Sequence, residues 1–241
     1  MKAVILAAGK GSRLGELTKE TPKCLLPLGK STLLGQTLKH LSSARITDLI
    51  VVTGFCHTKV RDFIESNWKG KAEFVYNPRF DSTNVLYSLF LSLPLIGHDD
   101  FIFIHADTVF SLEVLEKLFV RSRDSQMVFA VDFHSCGEEE MKVRVQDNKI
   151  IEVTKQMAAS DSDGEFLGVA WVSARQIENL KKHTETILDE GLFDAFFEAS
   201  VQRMITYENL EVEVADVSGL PWCEVDFPED YEVAKALFDE I

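Results

Sequence analysis

The sequence predicts an α/β fold: an open, mixed and mostly parallel sheet with helices on both faces, plus a small appended lobe. Two observations carry that expectation. Short β-branched runs such as Ala3-Val4-Ile5-Leu6-Ala7-Ala8 and Leu49-Ile50-Val51-Val52 alternate with stretches of helical apolar spacing, as at Leu33, Leu34, Leu38 and Leu41. The first run empties directly into Gly9-Lys10-Gly11-Ser12-Arg13-Leu14. That loop sets backbone N–H groups and two cations at the carboxyl end of a strand, where open α/β sheets bind ligands, and it reads as a polyphosphate grip. With 241 residues, 46% of them hydrophobic, the chain can bury a large core, so one domain over 1–241 is expected, with the lobe at roughly 133–220.

Taken in order, residues 32–43 have the spacing of a helix that packs on the sheet, and 49–52 form a buried strand ending in Thr53-Gly54-Phe55. In a parallel sheet this loop rises beside the first, where Gly54 either touches a nucleotide base or simply turns the chain. A helix over 58–68 and a strand over 73–76 lead to Asn77-Pro78-Arg79-Phe80-Asp81-Ser82-Thr83-Asn84, a polar run that supplies the N-cap of the next helix, with Ser82 or Thr83 the expected cap. Phe101-Ile102-Phe103-Ile104 is a fully apolar strand ending in His105-Ala106-Asp107-Thr108. A carboxylate on that lip suits a metal, and magnesium takes a few carboxylates and fills its shell with phosphate oxygens and water. The alternative for Asp107 is to cap a helix over 112–121. His105 reads as a packed histidine, because hard magnesium does not seek imidazole.

Strands follow at 127–132 and 141–145, joined by a loop whose Glu138-Glu139-Glu140 reads as a solvated turn. Asp147-Asn148-Lys149 is a hairpin turn, and 150–154 leads to Lys155. Residues 157–164 are small and polar, a mobile loop and candidate lid. The next strand, 165–172, carries Gly168, and glycine inside a strand permits close backbone approach. Helices are expected at 174–182 and 192–207, with Phe193, Phe196 and Phe197 as core. An alternating strand at 210–217 puts Val212 and Val214 on one face. Trp222-Cys223-Glu224-Val225-Asp226-Phe227-Pro228-Glu229-Asp230-Tyr231 then opens a last helix to Ile241, with Pro228, Glu229 and Asp230 suited to its first turn.

Lys and Arg total 25 against 39 Asp and Glu, a formal charge of −14 that repels duplex nucleic acid. Cations at a phosphate site must therefore be concentrated locally, which singles out Lys10, Arg13 and Lys23. The four cysteines, Cys24, Cys56, Cys136 and Cys223, show no C-x-x-C pair and no histidine spacing of a zinc site, and read as reduced thiols. No apolar stretch approaches membrane-spanning length and Met1-Lys2 leads straight into a core strand, so a soluble cytoplasmic protein without membrane or nucleic-acid partners is expected.

Two common phosphate motifs fail on these residues. A dinucleotide fingerprint needs glycine where Leu14 stands, and a P-loop ending at Gly29-Lys30-Ser31 needs one at Cys24. What remains, Leu6 to Leu14 followed by Thr21-Pro22-Lys23-Cys24-Leu25, resembles the L-A-A-G-x-G-x-R-L and T-P-K-x-L opening of the nucleotidyltransferases that make nucleotide-diphospho-sugars and their CDP-alcohol relatives. Asn77, Phe80, Thr83, Asn84, Ser88 and Leu89 match a stretch of the phosphocholine and aminoethylphosphonate cytidylyltransferases, with Val85 where they have a second asparagine. Trp222 to Asp230 resembles the closing motif of the same enzymes, so the resemblance spans essentially the whole chain.

The resemblance implies a Rossmann-like nucleotide-diphospho-sugar transferase fold whose inserted lobe binds the acceptor. It also implies an enzyme that transfers CMP from CTP to a phosphorylated alcohol or amine, with Mg2+ as cofactor and pyrophosphate as product. Leu6, Ala7, Ala8, Gly9, Lys10, Gly11, Ser12, Arg13, Lys23, Gly54, Asn84 and Ser88 would bind the nucleotide. Lys23, Arg13 and Asp107 would be catalytic, and Asp107 and Asp226 would hold the metal. Lys155 would meet the acceptor phosphate, and Glu165 either holds a cationic or hydroxyl group of the acceptor or is a surface acid at a strand end. The alternatives are a uridylyl- or thymidylyltransferase acting on a sugar 1-phosphate, a non-catalytic nucleotide sensor, and a nucleic-acid-binding protein, the last opposed by the charge of −14.

Overall fold

A computed structural model of the chain describes residues 1–238. The strands are β1 (Lys2–Ala7), β2 (Pro27–Leu28), β3 (Ser31–Thr32), β4 (Asp48–Thr53), β5 (Lys71–Tyr76), β6 (Phe101–His105), β7 (Thr108–Phe110), β8 (Met127–Asp132), β9 (Lys142–Gln146), β10 (Lys149–Thr154), β11 (Gly164–Val172), β12 (Val212–Asp216) and β13 (Trp222–Glu224). The α-helices are α1 (Leu33–Ser43), α2 (His57–Asn67), α3 (Val85–Ile96), α4 (Leu112–Ser122), α5 (Ile177–Asp189), α6 (Phe197–Glu208) and α7 (Pro228–Phe238). Positions 239–241, the end of the expected last helix, lie outside the described residues.

Nine strands form one sheet in the order β5-β4-β1-β6-β11-β8-β12-β10-β9. β5, β4, β1 and β6 pair in parallel, as do β8 and β12, whereas β11 and β10 run against their neighbours. Successive side chains of a strand point to opposite faces, and the burial follows. Ala3, Ile5 and Val51 meet α1, α2 and α4 through Leu34, Leu38, Val60, Ile64 and Leu118. Val4, Ile50, Phe103 and Phe129 meet α3, α5 and α6 through Leu89, Leu180, Phe197 and Val201. Val212 and Val214 both belong to that second core. No helix among the described residues is long and apolar enough to cross a membrane.

Four expectations need correction. Residues 133–220 are not wholly set apart as a lobe: their β11 lies inside the sheet between β6 and β8, while β9 and β10 lie beyond β12 and β9 folds back to pair with the start of β11. The cap of α3 is Asn84, whose side chain accepts the N–H of Val85, because Thr83 instead donates to Arg79 O at 2.7 Å. The helix expected from 192 begins at Phe197, since the preceding backbone is diverted to α3: the carbonyls of Phe193 and Ala195 accept the N–H groups of Asn84 and Leu86. The candidate lid is tied to the β9 edge, Asp163 Oδ2 accepting the Val145 N–H at 2.7 Å and Arg144 donating to Asp161 O.

Candidate active site

The opening loop is built around Lys23. Gly11 adopts φ +66°, and a side chain there would meet Lys23 Cβ at 2.9 Å, so only glycine lets the loop lie on the lysine stem. Buried Thr18 donates to Gly11 O at 2.7 Å and closes the 3-10 turns of residues 12–18. Lys23 begins a single 3-10 turn after Pro22 and is 8% exposed. Its Nζ lies 2.7 Å from Asp107 Oδ2 and 2.5 Å from Asp226 Oδ1. Burial works against the Lys23 charge, but the two aspartates outweigh it and hold its pKa above the ordinary lysine value. Burial likewise opposes the charge of Asp107, which Lys23 overrides, keeping that carboxyl below the usual range.

A two-stranded ribbon brings the aspartates together. β7 pairs antiparallel with β13, Thr108 opposite Glu224, and the Val225 N–H donates to Asp107 O at 3.0 Å. Asp107 therefore shapes the ribbon start and does not cap α4, whose cap is Ser111. Asp226 is fixed from the other side: Asp230, in the first turn of α7, accepts the N–H groups of both Asp226 and Phe227. Arg13 completes the cluster, 3.1 Å from Asp226 Oδ2 and stacked over Phe227 at 5.3 Å.

These groups face a cleft of about 270 Å³ at the carboxyl ends of β1 and β6. Leu6, Ala8, Gly9 and Arg13 line one side, Asn84 and Ser88 another, and Asp107, Asp226 and Lys155 the floor and far wall. Ala7 borders a small adjoining void that reaches Lys23. Lys10 points elsewhere, its ammonium 5.7 Å from the Phe55 ring, and Ser12 is exposed outside the cleft. Gly54 stands behind the lining, where a side chain would meet Ala8 O at 2.6 Å and Phe80 Cβ at 2.5 Å. Lys155 lies over Phe196 at 4.9 Å. Glu165 does not share that cleft; it borders a second cavity of about 330 Å³ that has Glu224 and Asp226 in common with the first as wall residues.

Several lining residues were not read as site residues. Asn77 is buried and donates to Thr83 and Ser88, both at 3.1 Å, which aims Ser88 along the cleft. Phe196 lines the cleft, whereas Phe197 is core and Phe193 carries Arg79 at 4.2 Å. Glu224 lies within 4.8 Å of His105 and Asp107, ligand atom to ligand atom; its signal was an acid two residues before Asp226 on an alternating strand. Burial, then Asp107 and Asp226, push Glu224 up to about 8. His105 is packed as expected, its ring 5.0 Å from Phe103 and against Gly168, where a Cβ would be 2.4 Å from Nδ1. The loop at 138–140 is not a free turn: Lys142, 1% exposed, donates to the carbonyls of Glu138, Glu140 and Lys155.

The carboxylates fit a hard divalent cation. Asp107 and Asp226 share the single positive charge of Lys23, and burial together with these two aspartates disfavours the charge of Glu224 beside them, so a cation at the three carboxyls would relieve that crowding.

The chain is similar to known proteins over most of its length. The chain is 28% identical over 248 residues to the CMP-5'-(3-aminopropyl)phosphonate synthase of Streptomyces rubellomurinus, covering 99% of this chain and 39% of that protein's length. It is 26% identical to the CTP:phosphoglutamine cytidylyltransferase of Campylobacter jejuni, over 97% of this chain and 98% of the relative. It is 26% identical to the choline-phosphate cytidylyltransferase of Streptococcus pneumoniae, over 96% and 95%. The solved CTP:phosphocholine cytidylyltransferase of Streptococcus pneumoniae shares the fold with a TM-score of 0.78 at 24% identity, covering 98% of this chain and 97% of that one. The inositol-1-phosphate CTP transferase of T. maritima does so with a TM-score of 0.82 at 21% identity, over 98% and 94%. The MobA-like NTP transferase domain matches residues 3–187. That match spans more than half of the sequence, and the chain belongs to the MobA-like NTP transferase family.

Proposed function

We propose that the protein is a cytidylyltransferase that transfers CMP from CTP to a phosphorylated or phosphonylated alcohol or amine and releases pyrophosphate. The observation that carries the reading is Lys23, a buried ammonium held between Asp107 and Asp226 beneath the glycine-basic loop, with Arg13 and Lys155 lining the same cleft. The relatives matched over nearly their full length are named for CTP and for phosphorylated acceptors, which supports cytidine and that acceptor class. The acid-lined second cavity, with Glu140, Glu165 and Trp222 on its walls, complements a cationic acceptor head.

An ionised acceptor oxygen attacks the α-phosphorus of CTP in line. The new P–O bond forms as the bond to the bridging oxygen breaks, and pyrophosphate leaves with the electron pair. No proton need move. The N–H groups of the Gly9–Gly11 loop would cradle the triphosphate, Arg13 would neutralise its outer groups, and Lys23 would take up charge at the α-phosphate, whereas Lys10, beside Phe55, stands off the cleft. Lys155 would steer the acceptor anion. Asp107 and Asp226, with Glu224 beside them, would hold Mg2+, which when bound supplies positive charge to phosphate oxygens.

The test is pyrophosphate release with CTP, UTP, dTTP, ATP and GTP crossed against phosphocholine, 2-aminoethylphosphonate, inositol phosphate and glucose 1-phosphate. Turnover is expected with CTP and an amine or alcohol acceptor, falling roughly 10²–10³-fold in Lys23→Ala. Turnover confined to UTP or dTTP with glucose 1-phosphate would replace this reading with the sugar-phosphate one. Nucleotide binding without turnover across a widened acceptor set would leave a sensor.

A further inference from the structure

Beyond the catalytic cleft, the loop between β8 and β9 gathers a second group of metal-ligating side chains. His134, Cys136 and Glu140 each offer a ligand atom, and the three atoms lie within 4.8 Å of one another. We propose that His134, Cys136 and Glu140 form a binding site for a borderline transition-metal ion of the zinc class, separate from the Asp107–Asp226 centre.

The donor set is the first argument. One imidazole nitrogen, one thiolate and one carboxylate oxygen suit zinc and its neighbours, whereas magnesium and calcium take oxygen shells. The second argument is orientation. Both ring nitrogens of His134 face an oxygen, Ser135 O at 3.1 Å and Glu165 Oε2 at 3.2 Å. A ligating histidine gives one nitrogen to the metal and donates the other N–H to a carbonyl or carboxylate, and here either choice leaves such a partner in place.

The third argument is anchoring. Fully buried Lys142 holds the carbonyls of Glu138 and Glu140, the Gly137 N–H donates to Glu140 Oε2, and Cys136 is 7% exposed with its thiol directed at His134 O. The ligands therefore sit on a loop whose backbone is tied down before any ion arrives.

The chain spacing H-x-C-x-x-x-E has one cysteine and no cysteine pair of the familiar zinc motifs, so sequence inspection passes over it. The fold supplies what spacing lacks, since β11 carries Glu165 up to the same histidine. Occupancy would bear on the site nearby. The same loop carries Glu139, 3.8 Å from Arg13, and Glu140 borders the acid-lined cavity, so a bound ion would pin the loop between the two.

The test needs no turnover and so stands apart from the proposed activity. The full chain, stripped with a chelator, is titrated with Co2+ and then with Zn2+ in competition. One equivalent is expected to give a thiolate-to-cobalt charge-transfer band that Zn2+ abolishes and Mg2+ does not. Cys136→Ser should remove the band, and His134→Gln and Glu140→Gln should weaken Zn2+ by about tenfold or more. Asp107→Ala should leave the band intact. Circular dichroism melts establish which variants fold, and should Cys136→Ser fail, the other two carry the test. The proposal is overturned by the absence of a band at saturating Co2+, by a band that survives in Cys136→Ser, or by one lost in Asp107→Ala.

Discussion

Lys23 shows how one residue's chemistry is set by its neighbours. A lysine this buried keeps its charge only because two carboxylates lie within 2.7 Å of its Nζ. Its stem is held by Gly11, which combines φ +66° with no room for a Cβ. Gly11→Ala should therefore strain the loop by about 1–3 kcal/mol and displace Lys23. The melting temperature should fall by several degrees, and kcat/KM for CTP by about tenfold or more. An unchanged rate would separate Lys23 placement from catalysis. Glu198 makes the opposite case: it is 2% exposed, and both carboxylate oxygens are buried without a hydrogen-bond partner among the described residues. Burial raises its pKa above the ordinary 4.5. Below that value both folded and unfolded chains hold the proton. Above it the unfolded chain releases the proton first, so the folded state loses relative stability until its own raised pKa is passed. The melting temperature of Glu198→Gln relative to the parent should thus rise as the pH climbs above the ordinary carboxylate range. A difference that stays flat would mean the carboxyl titrates normally.

At the scale of elements, the ribbon of β7 and β13 and the start of α7 do the assembling. Asp230 ties the helix N-terminus to the backbone of Asp226 and Phe227, an arrangement like a capping box in which an acid in the first turn reaches back to free N–H groups. Asp230→Ala should cost about 0.5–2 kcal/mol of stability. It should also lower kcat for CTP more than a surface mutation of equal cost elsewhere, because Asp226 loses its support. Parallel melts and rates of Asp230→Ala and Glu229→Ala, the latter exposed and without that contact, would check this. The α3 start is governed in the same way: residues 193–195 give up helix to feed carbonyls to Asn84 and Leu86, which sets Asn84 and Ser88 on the cleft wall.

For the whole molecule, the sheet lies between two apolar layers, and the lip of the cleft is only as rigid as those layers. Phe129 is fully buried, stacked on Phe166 at 4.0 Å and tilted against Phe197 at 5.8 Å. Phe129→Ala should cost about 3–5 kcal/mol and lower the melting temperature by roughly 10 °C, measured by calorimetry. A shift of a degree or two would mean the cavity collapses. The charge of −14 belongs to this scale as well, since against it the cations of the cleft must be clustered.

The sequence by itself determined the nine strands of the main sheet and most of the helices, and it singled out Gly9, Gly11, Arg13, Lys23, Asp107 and Asp226 as candidates, but not the ribbon of β7 and β13. Apolar periodicity and local turn chemistry act between near neighbours, so they are written in adjacent residues. Tertiary structure alone decided that β11 enters the sheet between β6 and β8, and that residues 192–196 leave the helix their spacing predicts. It alone decided that Lys23 bridges the two aspartates, that Glu224 joins them, and that Gly54 and Lys10 stand off the cleft. Those outcomes depend on strand pairing between distant segments, such as Thr108 opposite Glu224, and on hydrogen-bond demands made by one element on another. No local pattern records them, because the partner that satisfies each group is chosen only when the chain has folded.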